Sequence, residues 1–253
     1  MNQREDYIAV FDSGVGGISV LRHLRQELPG ERFLYFGDSA NAPYGTRPVE
    51  QVKALTLAAA EKLTGRGIKA LVVACNTATA AAITDLRAAY PDTIVIGIEP
   101  ALKVAADRFP GGSVGVMATP VTLHQEKFDR LLHRFDHSCR ITEIPAPGLV
   151  ELIESGRKDS PETEDFLQDL LEPHRGKMDA LVLGCTHYPF VADTIRRILG
   201  DTTQLLDGGL GTARETQRRL EQADLLENGT GEIVLENSKK DTGILELSRR
   251  LLG

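Results

Sequence analysis

Two cysteines of this 253-residue chain stand in nearly the same local sequence, 110 residues apart. Ala70-Leu71-Val72-Val73-Ala74-Cys75-Asn76-Thr77 and Ala180-Leu181-Val182-Leu183-Gly184-Cys185-Thr186-His187 each run from an apolar stretch into a thiol, followed by small polar or titratable residues. Such a cysteine suits proton transfer. A helix N-terminus after the strand lowers a thiol's pKa from about 8.5 and also attracts a carboxylate. A single cysteine there reads as a small core residue; two in matched contexts point to paired chemistry. Thr77 and Thr186 fit helix N-cap positions, a role that needs no ligand.

A second cluster follows the first apolar run, as Asp12-Ser13-Gly14-Val15-Gly16-Gly17. Its Gly-x-Gly start, with Asp38 near the spacing of a ribose partner, allows a dinucleotide reading. The match is partial, because Ser19 stands at the last glycine and Asp12 would put negative charge beside a pyrophosphate. The other reading gives the glycines to close backbone approach and Asp12 to a cationic group of a ligand. Pro43-Tyr44-Gly45 reads either as a simple turn or as a loop that presents the Gly45 N–H to an anion. Cys139 opens a strand-like stretch with no polar constellation after it and reads as a buried structural thiol. The histidines other than His187 fall mostly on helical patterns. No Cys-x-x-Cys pair exists, so a site from Asp12, Cys75, Cys185 and His187 is a weak metal reading, and none is expected.

The elements that must position these residues alternate. Strand-like runs at Tyr7–Phe11, Phe33–Phe36, Ala70–Ala74, Ile94–Ile98, Ser113–Met117, Arg140–Ile144, Ala180–Leu183 and Gln204–Leu206 are separated by helical patterns. Within Val15–Leu28, for example, Ile18, Leu21, Leu24 and Leu28 share one helix face. Continuous apolar strands between helices predict parallel sheets covered on both faces. The repeat around the two cysteines, and the likeness of Ile8–Ser13 to Val114–Thr119, predict two similar α/β domains related by a pseudo-twofold axis. Turn signals place the first domain at 1–98 plus 208–253 and the second at 99–207. A final strand, Gly231–Glu236, and a helix, Thr242–Leu252, are too short for a core of their own and are expected to pack back on the first domain. Ligands of such sheets bind beyond the carboxyl ends of the strands, where both cysteines fall.

Composition narrows the partners. With 29 Lys+Arg against 36 Asp+Glu the chain carries a formal charge of −7, without the basic footprint of a nucleic-acid binder. No apolar run reaches the length of about 18 residues that spans a bilayer. Three cysteines and no export signal predict free thiols and a cytoplasmic protein.

Taken together, Phe11–Gly17, Tyr35-Phe36-Gly37-Asp38, Pro43-Tyr44-Gly45, Ala74–Thr79 and Gly184-Cys185-Thr186-His187-Tyr188-Pro189 resemble the cofactor-independent aspartate/glutamate racemases, from about Tyr7 to the C-terminus. The resemblance implies two α/β domains with the active site in the cleft between them. It implies Cys75 and Cys185 as the acid/base thiols, with Asp12 and His187 as supporting catalytic groups that also contact substrate. Ser13, Tyr44, Gly45, Asn76, Thr77, Thr119 and Thr186 match substrate-contacting positions. The implied activity is interconversion of L- and D-glutamate, supplying D-glutamate for peptidoglycan, with no cofactor; racemisation of aspartate is the nearest alternative, and a nucleotide-binding oxidoreductase or a metal-dependent lyase the alternatives of other classes. A homodimer is compatible with this reading. Asp207-Gly208-Gly209 and Asn237–Thr242 depart from the family pattern without touching the catalytic motifs.

Overall fold

A computed structural model describes residues 6–124, 132–135, 137–229 and 231–253. The chain divides into two compact units, Met1–Glu99 with Gly209–Gly253, and Pro100–Gly208. Each is built on a wholly parallel sheet, as the sequence predicts.

In the first unit the strands β1 (Ile8–Asp12), β2 (Phe33–Gly37), β3 (Ala70–Val73), β4 (Ile94–Gly97) and β9 (Ile233–Asn237) lie in the order β4-β3-β1-β2-β9. Every residue of β1, β2 and β3 is buried, which explains why these strands read as unbroken apolar runs rather than alternating ones. Successive side chains still take opposite faces. Ala9, Phe11, Leu34, Phe36, Leu71 and Val73 join Val52, Ala60 and Leu63 of helix α2 (Val49–Thr64) and Ala78, Ala82 and Leu86 of helix α3 (Asn76–Ala89) in one core. Helix α1 starts at Ile18 rather than Val15, because Gly14–Gly17 forms the turn after β1, and it ends at Glu27. The final strand and helix do return to this unit: β9 pairs in parallel with β2, Phe33 opposite Ile233.

The second unit holds β5 (Ser113–Ala118), β6 (Arg140–Pro145), β7 (Ala180–Leu183) and β8 (Gln204–Asp207), in the order β6-β5-β7-β8. Its two cores alternate along the strands: Val114, Val116, Ala118, Ala180 and Val182 on one face, Met117, Ile144, Leu181 and Leu183 on the other. The order β2-β1-β3-β4 within the first sheet is the order β6-β5-β7-β8 of the second, strand for strand. The register agrees, since Ile8 pairs with Ala70 where Val114 pairs with Ala180. The internal repeat in the sequence is therefore a repeat of sheet topology, to which the first unit adds the edge strand β9.

Candidate active site

In the first unit Asp12 and Cys75 leave the sheet side by side, because β1 and β3 are neighbours and the Ala74 N–H donates to the Phe11 carbonyl at 2.7 Å. Cys75 is itself the N-cap of α3: its backbone is extended (φ −76°, ψ 121°), and its Sγ accepts the Ala78 N–H at 3.4 Å. The thiol thus sits at the positive end of a 14-residue helix, an arrangement that favours thiolate. Its Sγ also lies 3.5 Å from the Ser13 hydroxyl.

Asp12 is fully buried, and its Oδ1 accepts the Gly14 N–H at 2.9 Å. Glycine at 17 makes room for it, since a Cβ there would lie 2.7 Å from the Asp12 Cβ. Tyr44 enters from the loop after β2 and donates its hydroxyl to Asp38 Oδ2 at 2.6 Å. Burial, then the hydrogen bond to Asp38, push its pKa up, so the phenol stays a donor. Gly45 follows, buried, in the same short 3-10 turn. Asn76 and Thr77 are buried in the first turn of α3, and Asn76 Oδ1 has no hydrogen-bond partner among the described residues.

The second unit repeats the backbone and changes the chemistry. The Gly184 N–H donates to the Met117 carbonyl at 2.7 Å, the counterpart of Ala74 and Phe11, and brings Cys185 out at the carboxyl end of β7. Ala118 occupies the position of Asp12, Thr119 that of Ser13, Thr186 that of Asn76, and His187 that of Thr77. No long helix follows. A 3-10 turn, Tyr188–Val191, comes first, and the α-helix begins only at Ala192. In its place Cys185 Sγ lies 3.6 Å from His187 Nδ1, and His187 Nε2 lies 2.7 Å from Glu154 Oε1. Burial alone would lower the pKa of His187, yet hydrogen bonds to Cys185 and Glu154 outweigh it and hold the pKa well above the ordinary value. The imidazole, between the Glu154 carboxylate and the Cys185 sulfur, is thus biased toward its protonated form. Thr186 is buried alongside. Thr119 caps a short helix, its Oγ1 accepting the Thr122 N–H at 3.3 Å and lying 2.9 Å from the Thr122 hydroxyl.

Two sequence expectations change, and one site residue was not expected. Thr77 and Thr186 are not N-caps: the thiol of Cys75 caps α3, with Thr77 inside its first turn, and His187 precedes the 3-10 turn after Thr186. The dinucleotide reading loses its ribose partner, because both carboxylate oxygens of Asp38 are engaged, by Tyr44 and by Asn41 Nδ2 at 3.0 and 3.1 Å. Glu154 joins the site without any sequence signal. It lies 33 residues from His187 at the end of the helix Leu149–Glu154, and nothing in its local sequence marks it. Cys139 is buried at the amino end of β6, where its Sγ lies 3.7 Å from the Phe135 carbonyl. Among the described residues no three His, Cys, Asp or Glu side chains are placed to hold a metal ion, and no helix is long and apolar enough to cross a membrane.

A family model described as Asp/Glu/hydantoin racemase matches residues 15–216. The chain is 46% identical to the glutamate racemase of Clostridium botulinum (strain Loch Maree / Type A3) over 254 aligned residues, covering 99% of this chain and 98% of the relative. Among solved structures it resembles glutamate racemase isoform RacE1 from Bacillus anthracis, with a TM-score of 0.88 and 30% identity over 99% of this chain and 95% of the other. It also resembles the Francisella tularensis glutamate racemase in complex with D-glutamate, with a TM-score of 0.84 and 28% identity over 100% and 94% of the two chains.

Proposed function

The chain belongs to the Asp/Glu/hydantoin racemase family, and from that premise we propose that it interconverts L- and D-glutamate through two thiols, Cys75 and Cys185, without a cofactor. The observation that carries the reading is the pair itself: two buried thiols at equivalent strand ends, one capping a helix N-terminus and the other beside His187. Inverting a tetrahedral carbon requires a base on one face and an acid on the other, and a matched pair supplies one of each.

From L-glutamate, the thiolate of Cys185 takes the α-proton while the thiol of Cys75 gives a proton to the opposite face. From D-glutamate the roles exchange. Each turnover leaves the two sulfurs in exchanged protonation states, and proton exchange with solvent resets them. The difficult species is the carbanion, because the α-proton of an amino acid is very weakly acidic. Backbone N–H groups at the start of α3, with Asn76 and the threonines Thr77, Thr119 and Thr186, stabilise the charge that develops on the α-carboxylate. Asp12 and the buried acceptor Asn76 Oδ1 suit the substrate ammonium, and Ser13, Tyr44 and Gly45 line the same end of the first sheet. His187, held by Glu154, stands against the Cys185 sulfur.

A role in supplying D-glutamate for peptidoglycan follows from the family, and we place the enzyme in the cytoplasm, where three free thiols persist. The decisive experiment is polarimetry of the purified protein with L- or D-glutamate, no added cofactor and a chelator present. Loss of optical rotation from either enantiomer to the same racemic end point is expected. No change with glutamate, rotation lost faster with aspartate, or dependence on a removable chromophore or metal would overturn the reading.

A further inference from the structure

The loop from Asp38 to Thr46 brings Tyr44 and Gly45 to the end of the first sheet, and it is braced in part from within. Asn41 Nδ2 and the Tyr44 hydroxyl both donate to Asp38, and Arg47 Nε donates to the Asn41 carbonyl at 2.8 Å. The Asp38 N–H donates to the Asp12 carbonyl at 2.9 Å, and the far end of the chain adds further ties between this loop and the sheet. Asn237 Nδ2 donates to the Ser39 hydroxyl at 2.9 Å. The Ala40 N–H donates to the Ser238 hydroxyl at 3.0 Å, and the Ser238 N–H donates to the Gly37 carbonyl at 2.9 Å.

The seat for Asn237 is shaped to it. A Cβ on residue 37 would lie 2.8 Å from Asn237 Nδ2 and 2.4 Å from the Gly14 carbonyl. Glycine at 37 therefore admits the Asn237 amide and also the turn after Asp12. Asn237 is fixed in turn, since its Oδ1 accepts the Lys239 N–H at 2.9 Å. Among the described residues the second sheet has no counterpart of β9, and β6, the equivalent of β2, lies at its edge.

We infer that Asn237 and Ser238 are positioning residues for substrate binding: the end of β9 holds the Asp38–Thr46 loop so that Tyr44 and Gly45 meet glutamate. A stretch that departs from the family pattern in sequence thus acts on the site from outside it. This rests on the proposed racemase reading. The loop grips substrate on either path, so losing its anchor raises KM for both enantiomers and leaves kcat close to the parent value.

The test uses the full chain with Asn237→Ala/Ser238→Ala, the single variant Ser238→Ala, the conservative Ser238→Thr, and Glu236→Gln. The last removes an ion pair of β9 to Arg66 that does not involve the loop. Two readouts are taken, glutamate kinetics in both directions and amide hydrogen exchange across residues 38–47. The double variant is expected to raise KM about three- to tenfold, the scale of one or two hydrogen bonds, and to speed exchange in the loop. Ser238→Thr and Glu236→Gln should match the parent in both. An unchanged KM and unchanged loop exchange in the double variant would overturn the inference. So would equal changes in Glu236→Gln, which would mean that any loosening of β9 acts alike. Should the double variant not fold, Ser238→Ala carries the same readouts at a smaller size. If the parent fails to racemise glutamate, the functional reading falls, while hydrogen exchange still decides whether β9 anchors the loop.

Discussion

The two thiol-bearing strand ends share a backbone and differ in how they stabilise negative charge on sulfur. Beside Cys75 the device is fixed: a 14-residue helix starts on the thiol and its amides point at the sulfur. Beside Cys185 the device titrates: a buried imidazole, itself held by Glu154, stands 3.6 Å from the sulfur. The carboxylates are exchanged too, since the first half carries Asp12 at a position where the second has Ala118. One repeated scaffold thus places one thiol on a helix N-terminus and the other beside a histidine. The two strand ends are not built alike, and the difference gives each half its own signature under mutation and pH.

The largest effect separates the halves outright. Cys75→Ala and Cys185→Ala should each lower racemisation by at least about 10²- to 10⁴-fold, the usual worth of a positioned acid/base group, with the fold intact by circular dichroism. Racemisation cannot reveal which thiol serves which enantiomer, because an equilibrium constant of one forces equal kcat/KM in both directions. An irreversible partial reaction can. With a good leaving group on the β-carbon, elimination needs only proton removal. Cys75→Ser should keep elimination from the L-form far better than from the D-form, and Cys185→Ser should do the reverse. Equal loss of both eliminations in both variants would remove the division of labour.

Next in size is Asp12→Asn, which keeps shape and an Oδ1 acceptor for the Gly14 N–H but removes the charge that only the first half has. Turnover should fall by about 10²-fold, as for other electrostatic groups at a reacting centre. Tm should move by no more than about 4 °C, the shift that ~1 kcal/mol produces in a protein of this size. Near-parent turnover would reduce Asp12 to a support for its turn.

His187→Gln tests the titrating half. Removing the group 3.6 Å from the Cys185 sulfur should lower elimination from the L-form about tenfold, the rate equivalent of ~1.4 kcal/mol of lost charge stabilisation, with the D-form less affected. Glu154→Gln should act in the same direction and less strongly, because the imidazole remains. The pH dependence of stability has a definite sign. His187 has a folded-state pKa raised well above the unfolded value of about 6.5. Its contribution to stability is complete below that value and is lost as pH rises through the folded-state pKa. The Tm difference between the parent and His187→Gln should therefore shrink toward alkaline pH; a difference that grows with pH would mean that the imidazole is neutral in the fold.

This contrast also explains what was legible in the sequence. The strands were, because burial on both faces leaves β1, β2, β3 and β7 as continuous apolar runs. The repeat was, because matched strand order demands matched apolar residues at Ala70–Val73 and Ala180–Leu183. The chemistry of the first half is written locally, in Asp12-Ser13 and Cys75-Asn76. Half of the second is not, because Glu154 reaches His187 across 33 residues, and only packing brings them together. The helix caps differ from expectation for a local reason: threonine is the commoner N-cap, and a thiol that accepts the Ala78 N–H has no distinct composition signal. The bonds from Asn237 to Ser39 and from Ala40 to Ser238 likewise join residues 198 positions apart.

The smallest effect comes from the third thiol, which serves as the control for the other two. Cys139 precedes β6 and so lies at the amino end of the second sheet, whereas Cys185 follows β7 at the carboxyl end. The six residues of β6 put roughly 20 Å of strand between those ends, at about 3.3 Å per residue. Burial raises the Cys139 pKa, so it stays a protonated thiol at neutral pH. Cys139→Ser exchanges that thiol for a hydroxyl which can still donate to the Phe135 carbonyl. Turnover should stay within about twofold of the parent, and the cost of a more polar group in the core, about 1 kcal/mol, should appear as a Tm lowered by about 2–4 °C. Loss of turnover on the scale of Cys75→Ala, with the fold intact, would mean that burial of a thiol, rather than its place at a strand end beside a helix or an imidazolium, is what the chemistry needs.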